Sequence, residues 1–140
     1  MSTADAARTR TYSWTEQRID PAAVKQMTGL EFLQAVRDGR FARPAISNTL
    51  DFIMTEAEHG RAVFEGTPAE YHYNPLGTVH GGYFATVLDS ALACAIHSTL
   101  PAGMGYTTVE LKTNFVRPAF AHTGPLVCEA KVISVGARIG

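Results

Sequence analysis

Apolar residues are denser in one stretch of this chain than anywhere else. From about Gly82 to Ser98 the run GYFATVLDSALACAIHS leaves almost no polar face, which predicts one helix of about four to five turns, wrapped on most sides by protein. Upstream the period is two: Leu50, Phe52 and Met54 alternate with Asp51, Ile53 and Thr55, and His59-Gly60 turns the chain into Arg61–Glu65. That pattern predicts a β-hairpin. Downstream, Pro101–Gly105 reads as a turn. Thr107–Val116 then alternates, with Val109, Leu111 and Phe115 on one face and Glu110, Lys112 and Asn114 on the other. Arg117-Pro118 ends this predicted strand. Thr123-Gly124-Pro125 precedes another, Leu126–Val135, which turns at Gly136.

The N-terminal third has a helical pattern instead. Asp20-Pro21 is a cap followed by proline at a first helical position, and Thr28-Gly-Leu-Glu31 is a capping box opening a segment with Leu30, Leu33 and Val36 on one face. Gly39 stops that segment and Pro44 separates it from the hairpin. Met1–Thr11 is small and polar and is expected to be disordered, with Tyr12 and Trp14 folding back onto the body. A hairpin, a long apolar helix and successive antiparallel strands make an α+β arrangement. Residues 1–45 form a tail and helical extension, and 46–140 the main domain. Arg138-Ile139-Gly140 resembles the opening of another strand, so the sheet is expected to need strands beyond those present here.

Composition narrows the function classes. The 140 residues are 46% apolar and carry a formal net charge of −1, which suits one globular domain and argues against nucleic acid as a partner. Residues 1–20 lack the apolar run of a signal peptide, and no segment has the roughly 18 uninterrupted apolar residues of a membrane helix. A cytoplasmic protein that does not enter membranes is the expectation. Cys94 and Cys128 form no CxxC pair and read as small core residues, while the five histidines show no metal-ligand spacing. No metal site is expected.

The candidate chemistry lies at and within the apolar helix. His80-Gly81-Gly82 stands directly ahead of it, where backbone amides have no helical partner and the dipole is positive, as an oxyanion site requires. Asp89 is the one charge inside the helix, and burying an unpaired carboxylate there would cost several kcal/mol. Asn74 lies upstream in a loop with Pro75.

Asn74-Pro-Leu-Gly-Thr-Val-His80-Gly81-Gly82, then Asp89, then Gly105-Tyr-Thr-Thr108-Val-Glu-Leu-Lys-Thr-Asn-Phe-Val-Arg117-Pro118 resemble the PaaI-like acyl-CoA thioesterases of the hotdog fold, over roughly residues 48–140. The resemblance implies a helix wrapped by a curved antiparallel sheet, a homodimer commonly paired into a homotetramer, and hydrolysis of an acyl-CoA thioester. No separate cofactor is implied, because coenzyme A is part of the substrate. By resemblance the essential carboxylate falls on Asp89 and the thioester-polarising amide on Gly81. Asn74 and His80 help place thioester and water, and Thr108 supplies a hydroxyl. Substrate contacts come from Gly82, and coenzyme A contacts from Arg117 and from Gly136 to Arg138.

Helix geometry adds an independent constraint. Eight residues rise about 12 Å, so Asp89 is too far from Gly81 of its own chain to meet the same carbonyl, whereas antiparallel helices across a dimer bring the two together. Asp89 either activates water or attacks directly. Two alternatives stand beside hydrolysis: hydration or dehydration of a hydroxyacyl thioester on the same fold, and a non-enzymatic acyl-CoA-binding module.

Overall fold

In the computed structural model of the chain, residues 6–16 and 18–140 are described; the first five residues of the expected disordered tail lie outside them. The N-terminal extension is helical, as its caps predict. Helix α1 (Pro21–Val24) has the Asp20 carboxylate accepting from the Ala22 N–H at 2.9 Å. Helix α2 (Gly29–Arg37) carries both halves of the capping box: the Thr28 hydroxyl accepts from the Glu31 N–H at 3.2 Å, and the Glu31 carboxylate accepts from the Thr28 N–H at 2.8 Å. The Thr28 N–H first, and then the Thr28 hydroxyl, which also donates to the Glu31 carboxylate at 2.9 Å, hold that carboxyl below the usual carboxylate range. Leu33 and Ala35 are the buried face of α2. Gly29 lies so close to the His97 carbonyl that a Cβ has no room, which fixes where α2 docks.

Helix α3 (Ala45–Leu50) follows Pro44 and ends at Asp51 in the left-handed region, φ 54°. Leu50 therefore closes a helix instead of opening the first strand. Strands β1 (Phe52–Glu58) and β2 (Arg61–Gly66) form the predicted hairpin, turning at Gly60 with φ 76°. Strand β3 (Leu126–Lys131) pairs antiparallel with β2, giving a three-stranded sheet in the order β1-β2-β3. Arg61 secures the register by donating to Glu56 and Glu129, each at 2.6 Å.

Helix α4 (Gly81–His97) crosses this sheet within a residue of the predicted bounds. Tyr83, Val87, Ala91 and Ala95, spaced four apart, are its buried stripe. They face Phe52, Ala62, Phe64 and Ala130, and the four alanines let helix and sheet approach closely. At the far end the Ser98 hydroxyl accepts from the Gly60 N–H and donates to the Ala95 carbonyl, both at 2.7 Å. The helix is thereby tied to the hairpin turn.

Three further expectations are corrected. The apolar helix is covered on one stripe only, and Leu92 on its outer side is 44% exposed. Residues 107–116 form no ladder with any described strand. Their alternation specifies two faces but not a neighbour, and without one the backbone amides and carbonyls cannot pair; Val109 and Val116 are each 93% exposed. The last strand stops at Lys131, short of Val135. The α+β class itself holds.

Gly66 is the residue against which the start of α4 is packed. A Cβ there would stand 2.5 Å from the hydroxyl oxygen of buried Tyr83, so Gly66→Ala is expected to lower unfolding free energy by about 1–3 kcal/mol, measured by urea denaturation. Acid should weaken the fold as well. Burial pushes His72 and His97 below the ordinary 6.5, so the unfolded chain binds protons more readily. Their contribution is complete above the unfolded value and is lost as pH falls through it toward the folded value. A denaturation series between about pH 7.5 and 5 should show that decline, and His72→Gln should reduce its slope.

Candidate active site

The loop before α4 is built by its own side chains. Asn74 accepts through Oδ1 from the Leu76 N–H at 2.9 Å and the Thr78 N–H at 3.2 Å, and its Nδ2 donates to the Thr78 hydroxyl at 2.9 Å. Gly77, at φ 80°, completes that tight turn. Asn74 thus shapes the approach to the helix, and among the described residues its hydrogen bonds stay within the loop. The 3-10 turn Glu70–His72 precedes it, and the His72 carbonyl accepts from the His80 N–H at 2.8 Å.

His80 is the N-cap of α4. Its Nδ1 accepts from the Gly82 N–H at 2.8 Å. The next amide, Tyr83 N–H, donates to the His80 carbonyl at 3.0 Å. Of the first three helical amides only that of Gly81 has no partner among the described residues. Gly82, whose amide is occupied by the histidine, offers a ligand no free donor. A Cβ at Gly81 would lie 3.3 Å from the Phe115 ring, so glycine here admits that ring against the backbone and gives the free amide one apolar wall. Phe115 also packs at a tilt against Phe84, ring centroids 6.1 Å apart.

The second group lies two turns along α4. Asp89, half-buried, accepts through Oδ1 from the Thr108 hydroxyl at 2.7 Å. Beyond it Tyr106 stands 4.8 Å from His97, ring to ring. Burial, the Asp89 charge and the nearby Cys94 push the Tyr106 hydroxyl up to about 12, and burial pushes the Cys94 thiol up to about 11, so neither ionises near neutrality. Arg117 and Arg138 are exposed. The Gly136 N–H donates to the Ile139 carbonyl at 2.7 Å. Among the described residues no hydrogen bond or ion pair links Arg117, Gly136 or Arg138 to Gly81 or Asp89. In one chain, then, the structure yields two separate half-sites: a free amide at Gly81 walled by Phe115, and a carboxylate at Asp89 held by Thr108. The sequence marks Phe115 only as a strand residue, since its contact with Gly81 depends on where the unpaired segment runs.

Known proteins resemble this chain in sequence and in fold. The thioesterase superfamily profile matches residues 76–140, which include both half-sites. A putative thioesterase from Ralstonia eutropha, described as phenylacetic acid degradation-related, superposes with a TM-score of 0.68 at 27% identity, over 76% of this chain and 80% of that one. The chain carries the hotdog fold of the thioesterase superfamily. PaaI from the phenylacetic acid degradation operon of E. coli has the same fold, with a TM-score of 0.65 at 24% identity over 80% of this chain and 75% of that one. In sequence the hotdog chain is 33% identical over 90 residues to a protein from Saccharolobus solfataricus provisionally named an esterase, covering 64% of this chain and 62% of that one. A second relative with the same provisional name, from Halobacterium salinarum, is 38% identical over 66 residues, 46% of this chain and 42% of its own length. The chain thus spans about half the length of these curated relatives.

No helix of the described hotdog residues is long and apolar enough to cross a membrane. The cap predicts a measurable cost: His80→Ala is expected to destabilise the fold by about 1 kcal/mol, read from the urea midpoint at constant slope, because the Gly82 amide loses its acceptor.

Proposed function

We propose that the protein hydrolyses an acyl-CoA thioester at a site shared by two copies of the chain. The observation that carries this reading is the partnerless Gly81 amide at the positive end of α4. Such a donor stabilises negative charge developing on a thioester oxygen. Asp89 of the second copy takes a proton from water. The water oxygen bonds to the carbonyl carbon, the carbon–sulfur bond breaks, and the departing thiolate takes the proton back from Asp89, so that coenzyme A leaves as the thiol with a carboxylic acid as co-product. The Thr108 hydroxyl, bound to Oδ1, leaves the other carboxylate oxygen to receive that proton.

The remaining residues have supporting roles. His80 holds the Gly82 amide aside and, with Asn74, sets the loop that presents Gly81. The partly exposed outer side of α4, including Leu92, supplies an apolar wall for the acyl group and for the second copy. The exposed cations Arg117 and Arg138, with the Gly136 turn, suit the phosphates of coenzyme A. Two such dimers associate as a tetramer, in the cytoplasm. Thioester hydrolysis needs no further cofactor.

Asp89→Asn tests the reading. Thiol release from an acyl-CoA panel should fall by about 10²–10⁴-fold, while the oligomer and the affinity for a non-hydrolysable thioether analogue stay unchanged. Turnover within a few-fold of the parent protein rules the mechanism out. Enoyl-thioester absorbance without thiol release would indicate hydration chemistry instead, and tight binding without either would indicate a binding module.

A further inference from the structure

Arg10 lies in the segment whose composition suggested a disordered tail, yet it is one of the most heavily bonded side chains in the molecule. Its guanidinium donates to the Thr49 carbonyl at 2.6 Å, the Asn48 carbonyl at 3.1 Å and Asp51 Oδ1 at 2.6 Å. It also lies over two aromatic rings, 4.2 Å from the centroid of Tyr71 and 5.0 Å from that of Tyr12. Only an arginine can fork between two carbonyls and a carboxylate while stacking its plane on a ring. The second oxygen of Asp51 accepts from the Tyr71 hydroxyl. One cation therefore joins three elements: the N-terminal segment, the end of α3 and the 3-10 turn Glu70–His72.

That turn reaches the candidate site in one further step. His72 is packed between Tyr71 and Tyr83, with ring centroids 4.5 and 4.4 Å away, and its Nδ1 accepts from the Ala69 N–H at 3.0 Å. Its Nε2 is buried and unpartnered among the described residues, so packing, not hydrogen bonding, holds that side of the ring. The His72 carbonyl then takes the His80 N–H at 2.8 Å. His80 is held at both ends: its backbone N–H by His72, its Nδ1 by Gly82. The peptide plane between these two anchors contains the Gly81 N–H.

We propose that Arg10 is a positioning residue for the Gly81 amide. It fastens the turn whose His72 carbonyl holds His80, and so sets the direction in which the one free donor of α4 points. The kinetic consequence rests on the thioesterase reading, while the structural consequence does not. An oxyanion donor acts through angle and distance, so loosening its support lowers the rate of the chemical step more than it weakens substrate binding.

The test compares Arg10→Met and Arg10→Lys with the parent, each as the full chain and well below its melting temperature. Hydrogen exchange is followed at residues 72–81, together with the steady-state kinetics of thiol release from an acyl-CoA. In Arg10→Met, exchange at the His80 amide should rise about tenfold, and kcat should fall about tenfold with KM within about twofold. Arg10→Lys should lie between, because an ammonium keeps the ion pair with Asp51 but cannot fork to both carbonyls. If Arg10 merely staples the tail, replacing it would lower the melting temperature and leave kcat and His80 exchange at parental values, which overturns the proposal. If Arg10→Met does not fold, Arg10→Lys decides by the same two readouts. If the parent releases no thiol, the thioesterase reading fails, and His80 exchange alone decides the role of Arg10.

Discussion

Eight residues of rigid α-helix separate Gly81 from Asp89, and that spacing governs the rest of the molecule. Along one helix the two groups stand about 12 Å apart, beyond the reach of a single carbonyl group. In the proposed reaction neither half is useful alone: a lone amide can bind an oxygen but cannot activate water, and a lone carboxylate has nothing holding its target. Two copies of α4 running antiparallel would overlay the halves twice, once at each end. The packing of α4 supports this arrangement, since the stripe Tyr83, Val87, Ala91 and Ala95 is buried on the sheet and the opposite side, with Leu92 and Asp89, is left partly open.

The frame around the helix holds its start more tightly than its middle. Tyr83 is wedged between His72 and Gly66, His80 caps the first turn, and the Val79 N–H donates to the Ala119 carbonyl at 2.9 Å. By contrast, Asp89 is positioned by the single hydroxyl of Thr108 on an exposed segment. Such a difference suits the proposed division of labour. A donor must be preorganised where charge develops, whereas a base that takes a proton from water needs room for that water.

Local features were legible in the sequence because they depend on neighbours in the chain. The capping box at Thr28, the turn at His59-Gly60 and the bounds of α4 all follow from short-range chemistry. What failed depended on distant partners. The alternation of residues 107–116 shows which side chains share a face but not what lies beside the backbone. The apolar run of α4 says that it is to be covered, without saying by which surface. HGG announces free amides, but which one stays free is decided by the rotamer of His80, which takes Gly82 and leaves Gly81. Arg10 looked like one more cation in a polar tail, because its partners Asn48, Thr49, Asp51 and Tyr71 lie some forty to sixty residues away.

The shared site is tested most directly by subunit complementation. Gly81→Pro removes the amide at a first helical position, where proline is tolerated, and the extended backbone of His80, φ −63° and ψ 139°, suits a following proline. Gly81→Pro and Asp89→Asn proteins, each inactive alone, are unfolded, mixed in equal amounts and refolded together. A site composed of one chain's amide and the other's carboxylate predicts one intact site in every mixed dimer and about a quarter of parental thiol release from random pairing. A mixture as inactive as its two components, with mixed dimers demonstrably present, would contradict it.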